Sequence, residues 1–275
     1  MKSILILGGS GFIGHALYKE LGRYYNTYAT YHTAKGFASN QHFYPFHIEQ
    51  DDPFSILKDV KPKLIISALR GDFEALLETH SMLDEFVGKS NCRILFLSSA
   101  NVFDAFQHFP SYEYDKTLSE SVFGRFKIKI ENSLMRMPPG KSLIARLPMI
   151  FGRNAPRAAA LDEAVIEEKP IEVFPNTVVN VNEIGHLCRQ IHYMINQKCT
   201  GIYHLGSHDL VTHFDFMKSL AANRHKKEAI FKRIYTSNEM RYLAVLPKKN
   251  RLPEQLQISY TSVLEDSSLP KSASN

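Results

Sequence analysis

An α/β fold organised around a doubly wound parallel sheet is what this 275-residue sequence predicts, and three observations carry it. Ser3-Ile4-Leu5-Ile6-Leu7 is apolar without alternation, the pattern of a strand buried on both faces. Gly8, Gly9, Gly11 and Gly14 follow at once, and Phe12, Ile13, Ala16, Leu17 and Leu21 then recur at helical spacing. The order is therefore strand, glycine turn, helix. Beyond it, short β-rich runs alternate with helical runs, as they do in a parallel sheet with crossover helices.

Tyr25 to Tyr31 is the second strand and ends at His32-Thr33-Ala34-Lys35. Phe43 to Phe46 is a third. Asp52-Pro53 opens a helix to Val60, with the acid as cap and the proline in the first turn. Lys63 to Ser67 is the fourth strand. Asp72 to Val87 is a helix whose inner face is Phe73, Leu76, Leu77, Leu83 and Phe86. Arg93 to Leu97 is the fifth strand and ends in Ser98-Ser99, at the carboxyl edge where such sheets bind ligands. Ser121 to Met137 is the next helix, stopped by Pro138-Pro139-Gly140, and Ser142 to Arg146 the sixth strand. The pattern then loosens: helix over 158–168, strands over 171–174 and 178–181, an amphipathic helix over 183–195, a strand over 201–205 and a helix over 214–223. The last thirty residues are polar and punctuated by prolines, and 267–275 is expected to fray. The chain thus divides into a dinucleotide-binding, Rossmann-type domain over 1–150 and a smaller, mainly substrate-binding portion over 151–275, part of which returns to the first sheet. No linker marks the boundary.

Composition narrows the function classes. The hydrophobic content of 44% supports a large core, and a net charge of +5 without a long lysine/arginine block does not suggest a nucleic-acid arm. Acidic small molecules are suitable partners. No apolar stretch approaches the roughly 18 residues a membrane span needs. The apolar N-terminus runs too directly into glycines for a signal peptide. Cys92, Cys188 and Cys199 form no CxxC pair or zinc spacing, which suits reduced thiols of a cytoplasmic protein. His204, His208 and His213 share a region but no metal-binding motif, so no metal is expected.

The glycines fit both Gly9-x-Gly11-x-x-Gly14 and Gly8-x-x-Gly11-x-x-Gly14. They let the backbone turn sharply and approach a pyrophosphate, which the following helix N-terminus attracts through unpaired N–H groups and its positive dipole end. A dinucleotide site at Gly8, Gly11, Phe12, Ile13 and Gly14 follows. At the end of the second strand an acid would bind the adenosine ribose of NAD. None stands between Tyr28 and Asn40. His32, Thr33 and Lys35 can instead accept the extra phosphate of NADP, so NADP is favoured and NAD stays open; an ordinary exposed loop lysine is the bland alternative for Lys35.

The motifs together resemble the extended short-chain dehydrogenase/reductases, the dTDP-4-dehydrorhamnose reductase family in particular. The matching stretches are GGSGFIG at Gly8, Lys61 to Ala68, Ser98-Ser99-Ala100-Asn101-Val102-Phe103-Asp104, Phe123 to Lys127, Arg146 to Gly152, and Gly201 to Gly206. The resemblance implies a Ser/Thr that binds the substrate oxygen, a Tyr that moves the proton, and a Lys that lowers the Tyr pKa and holds the nicotinamide ribose. Ser99 matches the first and Lys127 the last. Phe123 stands at the tyrosine's position, four residues before Lys127 on one helical face, and a phenyl ring can neither give nor take a proton. Ser67 and Ala68 match coenzyme contacts. Arg146, Arg153 and Arg157 offer guanidinium groups to a substrate diphosphate, or lie in a surface loop. Lys248, Lys249 and Arg251 resemble a basic segment near the substrate, or form a solvated charge run. Tyr112 and Tyr114 are weaker substitutes for the missing phenol, because the family spaces its Ser/Thr and Tyr about two dozen residues apart. Two further departures are His47, where an acid is usual, and Ala100-Asn101, where Asp-Tyr is usual.

Two functions are consistent with this pattern. One is an NADP(H)-dependent sugar-nucleotide oxidoreductase that reduces a 4-keto sugar, with a nucleotide sugar or similar small molecule as substrate. The other is a non-catalytic, coenzyme-binding regulatory or scaffold subunit, for which the regulatory subunit of methionine adenosyltransferase is a precedent of similar fold. A homodimer is compatible with either.

Overall fold

The computed structural model describes residues 3–105 and 107–268. Its strands, in chain order, are β1 (Ser3–Leu7), β2 (Asn26–Tyr31), β3 (Phe43–Pro45), β4 (Leu64–Ser67), β5 (Arg93–Ser99), β6 (Ser142–Leu147), β7 (Met149–Phe151), β8 (Ile171–Val173), β9 (Thr177–Val179), β10 (Val181–Glu183), β11 (Gly201–His204), β12 (Val211–Thr212), β13 (Phe231–Arg233) and β14 (Arg241–Leu243). The helices are α1 (Phe12–Leu21), α2 (Pro53–Val60), α3 (Phe73–Lys89), α4 (Val122–Met135), α5 (Pro156–Ile166), α6 (Ile184–Asn196), α7 (His213–Arg224) and α8 (Tyr260–Asp266).

Seven strands form the main sheet in the order β11-β6-β5-β4-β1-β2-β3, and every neighbouring pair is parallel. The chain leaves β1 toward β2 and β3, then crosses back to β4 and continues outward on the other side. The strand order therefore reverses between β1 and β4, the place where open α/β sheets hold ligands beyond their carboxyl ends. The register sets Leu7 opposite Ser67, so the glycine turn after β1 lies against the loop after β4.

Both faces of the sheet are covered, as the unbroken apolar run of β1 requires. Ile4 and Ile6 pack with Leu17 and Leu21 of α1 and Leu187, Ile191 and Met194 of α6. Leu5 and Leu7 point the other way, to Leu57 of α2, Leu76 and Leu83 of α3, and Ile130 and Leu134 of α4. A separate cluster around Phe151, Leu161, Phe216 and Leu220 fills the later part of the chain. α6 and β11 belong to the main sheet and its cover although they follow residue 150.

Four local expectations need correction. The strand expected over 178–181 is two strands, β9 and β10, parted at Asn180. That side chain donates to the carbonyls of Ser207 and Val245 and accepts from the Val245 N–H, 3.1 Å away. β7 follows β6 after only Pro148 and pairs with β10. The polar tail contains α8, and β13 and β14 precede it unforeseen, each too short for a periodic signal. Ser267 is buried and hydrogen-bonded to Val263, so it does not fray; the rest of that expectation, 269–275, lies outside the described residues. Among the described residues no helix is long and apolar enough to cross a membrane, and no cluster of His, Cys, Asp and Glu is grouped to hold a metal. Cys92, Cys188 and Cys199 are unpaired.

Candidate active site

The glycine turn is built for close approach. Gly8 has φ +83°, and a Cβ there would lie 2.7 Å from the Ala68 carbonyl oxygen. A Cβ on Gly14 would come to 2.2 Å of the Gly8 oxygen. Gly11 caps α1 without any side-chain hydrogen bond, so the first-turn N–H groups of α1 face outward unpartnered by a cap. The Thr30 hydroxyl accepts from the Gly8 N–H at 2.9 Å and fixes the turn to β2. These features match a pyrophosphate held on backbone N–H groups, and the residues present fit a dinucleotide coenzyme.

A cleft of about 620 Å³ runs from this turn along the carboxyl edge of the sheet. Gly8, Gly11, Phe12, Ile13, Gly14, His32 and Ala68 line one part of it, and Ser99, Phe123, Lys127 and Arg157 another. The His32 ring meets the His47 ring edge-on, with centroids 4.1 Å apart. Thr33 and Lys35 are exposed just beyond His32, outside the cleft wall. Arg70, on the loop after β4, also lines the cleft, and its charge acts on both Lys127 and Arg157. Arginine, lysine and histidine thus face the space, and no Asp or Glu is among its lining residues.

α4 places Phe123 and Lys127 in the cleft wall. Ser121 caps it by accepting from the Gly124 N–H at 3.0 Å. A Cβ on Gly124 would lie 2.3 Å from the Asn101 carbonyl oxygen, so only glycine lets α4 pack this close to the turn after β5. Phe123 and Lys127 consequently share the face toward Ser99. Phe123 is 39% exposed, and Lys127 is 7% exposed. Lys127 Nζ donates to the Leu97 carbonyl at 2.9 Å and sits 4.5 Å from the Phe96 ring centroid and 5.6 Å from that of Phe123. Burial pulls the ammonium down to about 8, Glu131 opposing and Arg70 reinforcing the shift. Ser99 Oγ donates to Asn101 Oδ1 at 2.9 Å and accepts from the Asn101 N–H.

Three expected ligand contacts are not made. Ser67 is buried and bonds His80 Nε2 at 2.9 Å instead of facing the cleft. His80 donates from Nδ1 to the Leu76 carbonyl and stays neutral, its pKa lowered to about 4 by burial. Arg146 is 1% exposed and unavailable to substrate. Its guanidinium forks onto Glu131, with Nη2 to Oε2 at 2.7 Å, and also reaches the Glu113 carbonyl and His204 Nε2. Arg153 is exposed outside the cleft wall, and its carbonyl accepts from Arg224. A strand-interior arginine in an apolar sheet must be paired to be buried, and Glu131 one helix away supplies the partner.

Tyr112 and Tyr114 do not line the cleft. Their rings lie under Lys248 and Lys249, with Nζ to centroid distances of 5.0 and 4.7 Å. Between them Glu113 is buried, and its carboxylate accepts the consecutive N–H groups of Lys248, Lys249 and Asn250 at 3.0–3.3 Å. Burial alone would raise this carboxyl; the backbone N–H bonds outweigh it and hold its pKa below the ordinary value. The segment 248–250 therefore meets the body of the protein through its backbone N–H groups on Glu113 and through its two lysines on the tyrosine rings, not as a free charge run.

Arg70 and the Glu113 clamp escaped the sequence reading. Arg70 carried a usable signal, a cation three residues beyond a central strand at the ligand edge. Glu113 carried none, since its partners are backbone groups 135–137 residues away.

Comparison with known proteins fits this geometry. A model of the RmlD substrate binding domain matches residues 77–268. The dTDP-4-dehydrorhamnose reductase of Yersinia enterocolitica superposes with a TM-score of 0.78 at 18% identity, over 97% of this chain and 99% of that one. The dTDP-4-dehydrorhamnose reductase of Bacillus anthracis str. Ames, solved in complex with NADP, gives 0.76 at 18% identity, over 96% and 98%. The methionine adenosyltransferase 2 subunit beta of Danio rerio is 19% identical over 245 residues, 80% of this chain and 73% of that protein. At such identities the superpositions establish the fold, while the family model spans more than two thirds of the sequence: the chain belongs to the RmlD substrate binding domain family.

Proposed function

We propose that this protein binds NADP(H) and reduces a keto sugar carried on a nucleotide. The observation that supports it best is a single cleft joining the glycine cradle to Ser99 and Lys127. The first-turn N–H groups of α1 at Phe12 and Ile13 would hold the pyrophosphate, and Gly8, Gly11 and Gly14 leave it room. His32, Thr33 and Lys35 would take the adenosine phosphate, which favours NADP over NAD. Ala68 closes the cradle from β4. When bound, the coenzyme supplies a hydride. Ser99 Oγ binds and polarises the substrate carbonyl, and Lys127 holds the nicotinamide ribose. Arg70 and Arg157 take the negative charge of the substrate's phosphates, for which planar guanidinium groups are suited. On this reading residues 1–150 serve mainly the coenzyme and 151–275 mainly the substrate. The unpaired cysteines fit a cytoplasmic setting, and a homodimer is compatible with the fold.

NADPH oxidation in the presence of a panel of nucleotide 4-keto sugars tests this directly. Turnover with one of them, lowered about tenfold or more in Arg157→Gln chiefly through KM, is the expected outcome. Absence of turnover with all of them, in protein that binds NADPH, defeats the catalytic reading. The second reading, a coenzyme-binding subunit without chemistry, is favoured by Phe123, which offers no proton where the family pattern has a phenol. Stoichiometric capture of an enzyme by the inactive but coenzyme-bound protein would establish it.

A further inference from the structure

We infer that Lys127 itself delivers the proton in the proposed reduction, taking the place of the absent phenol. The inference rests on the oxidoreductase reading above. Three observations carry it.

The cleft offers few donors. Among the described residues the one tyrosine lining it is Tyr31, at the end of β2 on the opposite side of β1 from Ser99 and Lys127, and no Asp or Glu lines it. His32 is likewise on the β2 side, against His47. At the Ser99 end the titratable lining groups are Lys127, Arg70 and Arg157, and an arginine does not give up a proton near neutral pH.

Lys127 also has protons to give. Its ammonium carries three N–H groups and makes one hydrogen bond among the described residues, to the Leu97 carbonyl. It lies directly under the Phe123 ring, 5.6 Å from the centroid, so it stands within a side chain's reach of the place a phenol at 123 would serve.

Its surroundings keep the ammonium acidic. Rings of Phe96, Phe123 and Phe126 enclose it. Glu131, one turn along α4, opposes the shift by its charge but is itself bonded to Arg146 and Ser98, so burial prevails. His80 of α3 is neutral, and Arg70 adds a like charge from the β4–α3 loop. A group poised near 8 is close to the operating pH, where acid catalysis is most effective.

The step balances as follows. A bound reduced nicotinamide would supply a hydride to the carbonyl carbon, leaving as its oxidised ring, and the two π electrons of the carbonyl would move to the oxygen. That oxygen forms an O–H bond as one Lys127 N–H bond breaks. The neutral amine regains a proton from water at the cleft mouth.

The test compares wild type with Lys127→Arg. Arginine keeps the charge and hydrogen-bond donors but not the labile proton. Because Lys127 would also hold the nicotinamide ribose, Lys127→Arg is expected to weaken NADPH binding by fluorescence titration and, at saturating NADPH, still to lose about 10²–10⁴-fold in kcat. The wild-type reduction rate should fall as pH rises through about 8, and this limb should vanish in the residual activity of Lys127→Arg. Independently of turnover, competitive acetylation followed by mass spectrometry should show Lys127 titrating well below the other lysines and protected by NADPH. An active wild type with an equally active Lys127→Arg, or a Lys127 that titrates as an ordinary lysine, overturns this inference and leaves the reductase reading standing. A wild type that binds NADPH but turns over none of the nucleotide keto sugars removes both.

Discussion

Phe123 is the residue on which the chemistry turns. On the proposed reading it holds the position that the family pattern gives to a phenol; it lines the cleft with 39% of its surface exposed and packs beside Phe126 and Phe73. Phe123→Tyr adds one hydroxyl at a half-exposed site, so it should not disturb the fold. With Lys127 beneath it, the new phenol is expected to raise the reduction rate at least tenfold, since a positioned acid contributes about 10²–10⁴-fold. An unchanged rate in an active enzyme would mean that the ring does not stand at the proton-transfer position. Ser99 is tested by alanine: loss of kcat with NADPH affinity kept is the expected result, and equal loss of both would make it only a cap for the turn it bonds to at Asn101.

At the scale of the element, the glycine turn and the Glu113 clamp do opposite things. The turn leaves backbone N–H groups free for a ligand, whereas the clamp uses a buried carboxylate to absorb three of them. Glu113→Gln replaces one accepting oxygen by a donor facing N–H groups, and hydrogen bonds to charged groups contribute about 1.5–3 kcal/mol each. The variant should lose roughly 3 kcal/mol in urea unfolding; a loss under about 0.5 kcal/mol would show the clamp to be unimportant. Elements with a periodic pattern were legible from the sequence. The apolar run Ile4 to Leu7 of β1, the cap and proline of α2 and the apolar face of α3 all fold as read. Short strands whose partners are distant were not, because β13 and β14 are three residues each and take their register from β8 and β9. Site residues divide the same way. Gly8, Gly14, Ser99 and Lys127 follow local motif spacing and meet in one cleft. Ser67 at the end of β4 and Arg146 one residue inside the end of β6 carried the right residue types, but pairing with His80 and Glu131, set only by the tertiary packing, turns them inward.

For the whole molecule, buried neutral histidines set the acid limit. His80, His204 and His213 all have pKa values lowered by burial, with Arg146 adding to the effect at His204 and Arg157 at His213. An unfolded chain protonates these rings below about pH 6.5 while the folded one does not, so stability is full above that value and falls as pH drops beneath it. His80, lowered to about 4, should alone cost about 2 kcal/mol by pH 5. The thermal midpoint is expected to be lower at pH 5 than at pH 7.5; an equal or higher midpoint at pH 5 would contradict this. At the same scale, the reversal of strand order between β4 and β1 opens one cleft that joins the glycine turn to Ser99, Lys127, Arg70 and Arg157, and on the proposed reading these are the coenzyme cradle and the reactive end. The most direct measurement of that claim is calorimetric titration with NADPH of the wild type and of Gly14→Ala, whose added Cβ would lie 2.2 Å from the Gly8 oxygen. Saturable binding near one per chain in the wild type, weakened at least tenfold in a folded Gly14→Ala, is the predicted result. A wild type that takes up no NADPH, or a variant that binds it equally well, would contradict the account.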